Sequence, residues 1–398
     1  MNNQKPAVHK PIVKEAAAAL LEIFVGGAHA DKVIERCMRQ NRKWGSRDRR
    51  QFAEIVYDIV RWWRLLLVTV LKADLSSDIS LTDCEQLVSS YLNGFDLPSL
   101  QAKATTEAIR QSIPDELFDL LKSELGADVG KILTRLNQRA PQFLRVNTLK
   151  ATRDSLGVKL RAEEIQTAAV ESVATALRLA ERKNVFITGA FKQGFFEMQD
   201  AGSQLIAPLL GVKPGDRVID ACAGAGGKTL QLAMLMKNQG RVIAMDIHQR
   251  KLDELTLRSR RAGASIIEPR LIESTKVIKR LHESADHVLL DVPCSGLGVL
   301  RRYPDTKFKF KAAELDRLAD TQRDILSRYS LMAKVGGSVV YATCSILPSE
   351  NSGRVREFLE ANTGAGLARF ELEEELHVSP LDTDFDGFYA ARLRRKSL

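Results

Sequence analysis

The chain has 398 residues, of which 44% are hydrophobic and 27% are charged. This length exceeds one ordinary compact domain, and this composition is typical of globular proteins, so a peptide, a small disulfide scaffold and a wholly disordered chain are excluded. The 59 Lys and Arg residues outnumber the 50 Asp and Glu residues, which gives a net charge of +9. That excess favours a polyanionic partner but does not require one.

Membrane insertion, export and metal binding are not expected. The most apolar stretch, residues 62–71, is interrupted by Arg64 and falls short of the roughly 20 apolar residues that cross a bilayer. Residues 1–10 are polar and do not resemble a signal peptide. The five cysteines are an odd number and include no Cys-x-x-Cys pair. We therefore expect a cytoplasmic monomer without disulfides or a metal site.

The first part of the chain has a helical pattern. From about residue 11 to 138, apolar residues recur at spacings of three and four, as in the stripe Ile55, Val56 and Ile59. A helical domain is predicted over 1–138. After Pro141, residues 143–147 alternate like a strand, and short helix and strand patterns continue to Met198. A small α+β module is predicted over 139–198.

The remaining residues, 199–398, have the pattern of an α/β domain. Short apolar strands alternate with helical segments, which is typical of a parallel sheet covered by helices on both faces. The predicted strands are Arg217 to Asp220, Arg241 to Asp246, His287 to Asp291 and Gly337 to Tyr341.

A glycine-rich loop follows the first of these strands and precedes an apolar-periodic helix. Strand, turn and helix in this order bring backbone amides up to a ligand, and Asp246 ends the next strand, where an acidic residue binds ribose. Cys222 replaces the first glycine of a P-loop, and Thr229 replaces the third glycine of a dinucleotide fingerprint. A different nucleoside ligand remains, with S-adenosylmethionine the obvious candidate. The loop residues are Cys222, Ala223, Gly224, Ala225, Gly226, Gly227 and Lys228.

Two cysteines follow two of the predicted strands. Asp291 ends the third predicted strand and Cys294 follows it in the next loop, and Cys344 comes after the fourth strand. Because ligands bind beyond the carboxyl ends of parallel strands, we expect both cysteines to face the cofactor crevice. A zinc deaminase would need a second cysteine three positions after Cys294, where this chain has Leu297.

With these motifs the chain resembles the RNA 5-methylcytosine methyltransferases of the Sun (Fmu, RsmB-like) family. The resemblance spans about residue 141 to the C-terminus, and the segment around Arg47-Asp48-Arg49 more loosely resembles the NusB-like helical domain of the RsmB-like branch. The carrying motifs are Asp291-Val292-Pro293-Cys294-Ser295-Gly296, Tyr341-Ala342-Thr343-Cys344-Ser345 with Pro348, Glu350 and Asn351, the glycine loop, Arg302-Tyr303-Pro304-Asp305-Thr306-Lys307, Gln199-Asp200-Ala201-Gly202-Ser203 and Asp386-Gly387-Phe388-Tyr389.

The resemblance implies a Rossmann-like, S-adenosylmethionine-dependent catalytic domain and a covalent mechanism. Cys344 would attack carbon 6 of cytosine, Asp291 would support ring nitrogen 3, and Cys294 would help to release the product. It further implies that Asp246 binds the cofactor ribose, that the glycine loop surrounds the methionine part and that Asp291 borders the cofactor. The family has another Asp after the strand that follows Asp246, and Glu273 is its nearest counterpart here.

RNA is the expected partner. Arg301, Arg302 and Lys307 alternate with aromatic residues just after the Cys294 loop, and we expect them, with Lys228, to contact RNA, although a solvated helix start has the same composition. The resemblance favours small-subunit ribosomal RNA. Transfer RNA, and a non-catalytic RNA-binding assembly factor, stay open as alternatives. DNA methyltransferases take their nucleophile from the Pro-Cys loop, so Thr343-Cys344 argues against them. The basic C-terminal run 392–396 is predicted to be a solvated tail.

Overall fold

The computed structural model describes residues 10–362 and 369–396. They form two compact units, one from the described part of Met1–Arg139 with Leu300–Ala312, and one from Ala140–Val299 with the described part of Ala313–Leu398. The predicted boundary at residue 138 lies beside the observed one, but the sequence did not indicate that 300–312 joins the helical unit. No helix among the described residues is both long and apolar enough to cross a membrane.

The first unit is helical, as predicted. The predicted stripe with Ile55, Val56 and Ile59 is buried in its core, and Trp63 stacks on Phe24 with ring centroids 3.7 Å apart. The helices are α1 (Lys10–Phe24), α2 (Ala30–Gln40), α3 (Ser46–Arg61), α4 (Trp63–Leu66), which continues into a π-helical turn (Leu67–Leu71), α5 (Leu81–Leu92), α6 (Leu97–Ala102), α7 (Glu107–Arg110), α8 (Asp115–Leu125), α9 (Val129–Leu136) and, from the inserted segment, α16 (Thr306–Lys309).

The second unit begins with the predicted α+β module. Its four strands form an antiparallel sheet in the order β2-β3-β1-β4, and the predicted strand at 143–147 is β1. The elements are β1 (Phe143–Val146), α10 (Arg153–Ala162), β2 (Thr167–Ala169), β3 (Ala176–Leu179), α11 (Gly189–Lys192) and β4 (Phe196–Met198).

A seven-stranded sheet forms the rest of this unit, in the order β10-β11-β9-β8-β5-β6-β7. The five strands from β9 to β7 in this order are parallel, and β11 and β10 add antiparallel strands at one side. The elements are α12 (Ala201–Gln204), β5 (Arg217–Asp220), α13 (Gly227–Leu235), β6 (Arg241–Asp246), α14 (Gln249–Ala262), β7 (Ile267–Leu271), α15 (Thr275–Lys279), β8 (Ala285–Asp291), α17 (Ala312–Tyr329), β9 (Ala333–Thr343), α18 (Ser352–Ala361), β10 (Phe370–Val378) and β11 (Phe388–Arg395).

The four strands predicted in this domain are confirmed, two of them at their predicted bounds. The basic C-terminal run is not a solvated tail, because it forms the end of β11. There Arg392 and Arg394 pair with Glu373 on β10, and the buried Arg395 donates to the Leu331 carbonyl at 3.1 Å. The strand order changes direction at β5, which lies between β6 and β8, and an open sheet of this kind binds ligands at such a point.

Candidate active site

The loop between β5 and α13 needs glycine at two positions. Gly224 and Gly226 adopt left-handed backbone conformations, with φ of +55° and +87°. A Cβ atom at Gly226 would also lie 2.7 Å from the Leu255 side chain on α14. The loop therefore packs closely against α14, and its backbone can approach a ligand.

Asp246 at the end of β6 is fixed by backbone amides. Its two carboxylate oxygens accept hydrogen bonds from Gly224 N and His248 N, each at 2.9 Å, and Lys251 Nζ lies 3.8 Å away. A carboxylate can accept about four hydrogen bonds, so these contacts leave sites for ribose hydroxyls. The loop and the acid predicted to hold the cofactor thus lie together.

A cleft of about 500 Å³ runs along this edge of the sheet, within the range of small-molecule sites. Cys222, Gly224, Asp246 and Asp291 line it, whereas the other five predicted loop residues are not among its lining residues. Glu273 is exposed and does not line it, and Ile272 does so instead. The lining combines the carboxylates of Asp246 and Asp291 with apolar side chains such as Ile247 and Ile272, and these groups fit the polar and adenine parts of S-adenosylmethionine.

The two predicted cysteines meet at the end of this cleft. Cys294 Sγ lies 3.3 Å from Cys344 Sγ, and both residues line the cleft. The hydrogen bond to Cys344, together with burial, raises the pKa of the Cys294 thiol well above its usual value. Either sulfur can be the donor in this contact.

Close backbone contacts hold the two cysteine loops against each other. Gly298 N donates to the Cys344 carbonyl at 2.9 Å, and Gly387 N donates to the Gly298 carbonyl at 2.8 Å. A Cβ atom at Gly298 would lie 2.2 Å from the Gly387 carbonyl oxygen. Gly387 belongs to a motif of the resemblance, and a side chain at Gly298 would collide with its backbone.

Lys228 and Asp291 form an ion pair beside the cysteines. Lys228 Nζ lies 2.6 Å from Asp291 Oδ2, and the lysine side chain is largely buried. Burial lowers the pKa of Lys228, but the charge and hydrogen bond of Asp291 outweigh it, so this pKa is raised. Behind them, burial raises the pKa of Asp220 to about 7, although Thr229 Oγ1 donates to it at 2.7 Å. The predicted catalytic Asp291 therefore has a basic neighbour whose charged form is favoured.

The predicted RNA contacts of Arg301 and Lys307 are not supported, because both side chains are buried within the helical unit, 2% and 1% exposed. Arg301 Nε donates to the Arg135 carbonyl at 2.9 Å. Lys307 Nζ donates to the Arg61 carbonyl at 2.7 Å and to Asn137 Oδ1 at 2.9 Å. Arg302 is half-buried.

Several residues of the cleft were not predicted. Ile247 follows Asp246 directly, and Lys251 lies one turn into α14, so their proximity to Asp246 was the only signal for them. Tyr329 and its neighbours come from α17, far along the chain, and no sequence pattern connects them with the glycine loop. The residues of α17 that line the cleft are Thr321, Asp324, Ile325 and Tyr329.

Comparison with known proteins agrees with this geometry. The family pattern described as "16S rRNA methyltransferase RsmB/F" matches residues 207–394, and that of a "Methyltr_RsmF/B-like, ferredoxin-like domain" matches residues 113–186. The probable ribosomal RNA small subunit methyltransferase B of Bacillus subtilis is 31% identical over 334 residues, which are 78% of this chain and 74% of that protein.

Solved structures share the fold. The crystal structure of PH0851 is 23% identical and covers 96% of this chain and 98% of that chain with a TM-score of 0.78. A methyltransferase homolog protein from Pyrococcus horikoshii is 25% identical and covers 73% of this chain and 98% of that chain with a TM-score of 0.64. With a relative above 30% identity matched over most of its length and a cleft that fits S-adenosylmethionine as cofactor, the chain belongs to the RsmB/F family of methyltransferases.

Proposed function

We propose that this protein methylates carbon 5 of cytosine in RNA through a covalent adduct with Cys344. The observation that carries the proposal is the 3.3 Å contact of Cys294 and Cys344 beside Asp291 at the end of the cofactor cleft. Carbon 5 of cytosine is a weak nucleophile, and addition of a thiolate at carbon 6 activates it. A site with two adjacent cysteines supplies one group for addition and one for release.

Cys344 is the nucleophile in this mechanism. Cys344 Sγ lies within hydrogen-bond distance of Cys294 Sγ, and in this mechanism the Cys294 thiol donates toward the Cys344 thiolate. The Cys344 electron pair forms a bond to carbon 6, and the electrons of the 5,6 double bond move toward carbon 5 and the ring nitrogen.

The Lys228–Asp291 pair supports ring nitrogen 3. The pair donates a hydrogen bond to ring nitrogen 3 as negative charge develops on that nitrogen. A preorganised donor of this kind lowers the activation barrier for addition of the thiolate. This refines the expectation that Asp291 acts alone, because its carboxylate already accepts a hydrogen bond from the lysine.

Methyl transfer and release complete the reaction. When bound, S-adenosylmethionine supplies an electrophilic methyl group. Carbon 5 would take this methyl group and leave S-adenosylhomocysteine as the other product. Cys294, once its own proton has passed to solvent, then removes as a thiolate the proton that remains on carbon 5. The electrons of that bond restore the double bond and expel Cys344 as a thiolate, so the reaction releases one proton overall. The raised pKa of Cys294 makes its thiolate a stronger base for this step.

Small-subunit ribosomal RNA is the substrate that we propose. The curated relatives include small-subunit ribosomal RNA methyltransferases from several bacteria. Transfer RNA is the alternative substrate, and a non-catalytic role in RNA assembly is the alternative function.

The test uses labelled S-adenosylmethionine with unmodified small-subunit ribosomal RNA or unmodified transfer RNA, followed by nucleoside mass spectrometry. We expect 5-methylcytidine in the ribosomal RNA and a loss on the order of 10³-fold or more in Cys344→Ala, as for removal of a nucleophile. 5-methylcytidine in transfer RNA alone would show that transfer RNA, and not ribosomal RNA, is the substrate. Normal turnover by Cys344→Ala would overturn the mechanism.

A further inference from the structure

Glu350 and Asn351 are adjacent buried polar residues that the mechanism above does not use. They lie after the Cys344 loop, at the end of the short turn Pro348–Glu350 and just before α18. Each residue forms hydrogen bonds with the neighbours of one reactive cysteine. Glu350 contacts those of Cys294, one of them through Gln322 of α17, and Asn351 contacts those of Cys344.

Glu350 holds the residues that flank Cys294. Its Oε1 accepts from Ser295 N and from Gln322 Nε2, each at 2.9 Å, and Ser295 Oγ donates to its other oxygen. The same Gln322 amide donates to the Pro293 carbonyl at 3.0 Å. One carboxylate and one amide from α17 therefore fix both neighbours of Cys294.

Asn351 holds the residues that flank Cys344 in the same manner. Thr343 Oγ1 donates to Asn351 Oδ1 at 2.5 Å, and Asn351 Nδ2 donates to the Ser345 carbonyl at 3.0 Å. Two consecutive residues thus set the positions of two cysteines that are 50 positions apart in the sequence.

We infer that Glu350 and Asn351 are positioning residues with separate roles, Glu350 for the release step through Cys294 and Asn351 for adduct formation through Cys344. The inference rests on the proposed function. Hydrogen bonds to a buried carboxylate are charge-assisted, and truncation would leave buried donors unpaired. A displacement of about 1 Å in a reacting group can cost about a hundredfold in rate, so the two cysteine loops depend on these bonds.

The test measures the covalent protein–RNA adduct on denaturing gels and 5-methylcytidine by mass spectrometry, with unmodified small-subunit ribosomal RNA. We expect Glu350→Ala to slow turnover about tenfold to a hundredfold while the adduct accumulates. Glu350→Gln should recover much of the rate, because its amide oxygen still accepts from Ser295 N and Gln322. Asn351→Ala should instead reduce the adduct and the methylation together.

A control variant, a second test variant and the wild-type protein distinguish a positioning role from a merely structural one. Glu357→Gln removes an exposed carboxylate from α18 and should change neither readout. If Glu350→Ala does not fold, Ser295→Ala removes one donor and should accumulate adduct to a smaller extent. A proportional fall of adduct and product in Glu350→Ala and Ser295→Ala, or accumulation of adduct in Asn351→Ala, would overturn the inference while wild-type activity upholds the proposed function. Absence of both products in the wild-type protein overturns the proposed function and the inference with it.

Discussion

The two units each bury a lysine, and the two lysines differ in their partners. Lys228 in the catalytic unit lies beside the carboxylate of Asp291, which raises its pKa. Lys307 in the helical unit faces a backbone carbonyl and an amide oxygen, and burial lowers its pKa well below the usual value, helped by the nearby Arg61. A neutral amine has two N–H donors, which match these two acceptors.

This comparison shows that the hydrogen-bond partner determines the direction in which burial shifts the pKa of a lysine. In the proposed mechanism, an ammonium group paired with a carboxylate provides the hydrogen-bond donor for ring nitrogen 3. A lysine amine that faces two uncharged oxygen acceptors satisfies buried polar groups and connects elements of the helical unit. Both residues are basic in the sequence, and both were predicted to contact RNA.

Among the substitutions that test this comparison, the largest expected effect comes from Lys228→Met, which keeps the length of the side chain and removes the ammonium group. Because the donor near ring nitrogen 3 is lost, kcat should fall by about 10²-fold to 10³-fold. Steady-state methylation assays measure this, with Lys307→Met as the matched control of the other unit. Near-normal kcat in Lys228→Met would contradict the catalytic role of the pair.

Asp246→Asn should produce the next largest effect. The substitution removes the charge that strengthens hydrogen bonds to ribose hydroxyls, so the affinity for S-adenosylmethionine should fall by about 1.5 to 3 kcal/mol. Isothermal calorimetry measures the Kd directly. An unchanged Kd for S-adenosylmethionine would contradict the role of Asp246 in binding the cofactor.

Lys307→Met should change the pH dependence of stability. The pKa of Lys307 is lowered on folding, so the unfolded chain binds more protons, and wild-type stability rises with pH between the lowered folded pKa and the unfolded value of about 10.4. The free energy of unfolding of the wild type should therefore increase relative to that of the variant by up to about 1.4 kcal/mol per pH unit in that window. Urea unfolding from pH 7 to 9.5 tests this, and parallel curves would mean that Lys307 stays charged.

The smallest effect should come from Glu273→Gln. Because this side chain is exposed and does not line the cleft, the Kd for S-adenosylmethionine should change by less than about twofold, as for ordinary surface substitutions. The same calorimetry as for Asp246→Asn gives the answer. A loss as large as that of Asp246→Asn would restore Glu273 as the adenine contact.

Much of the catalytic unit could be predicted because its signals are local. The strands β5 and β6 are short apolar runs that end in Asp220 and Asp246, and the cysteines follow their strands directly. The strand β7 was missed because it contains Pro269 and few apolar residues, as edge strands often do. The strand β10 is rich in glutamate, and its pairing with the basic β11 is visible only when both strands are side by side.

The helical unit shows where sequence patterns fail. The segment around Arg301 and Lys307 has the basic and aromatic composition of an RNA-binding surface, and that composition does not reveal whether the side chains meet phosphate groups or carbonyl oxygens. The acceptors for Lys307 are the Arg61 carbonyl and Asn137, which lie far away in the sequence. Only the folded chain shows that this segment is part of the helix bundle.

The inserted segment also determines how this protein can be divided. The polypeptide passes between its two units three times, after residues 139, 299 and 312, so neither unit is a continuous piece of the gene. A chain cut before Ala140 would carry residues 300–312 without the helices that hold Lys307 and the Phe308 ring. The helical unit therefore cannot be replaced by exchanging the N-terminal segment alone. The thirteen residues 300–312, which interrupt the sequence of the catalytic unit, must be replaced together with it.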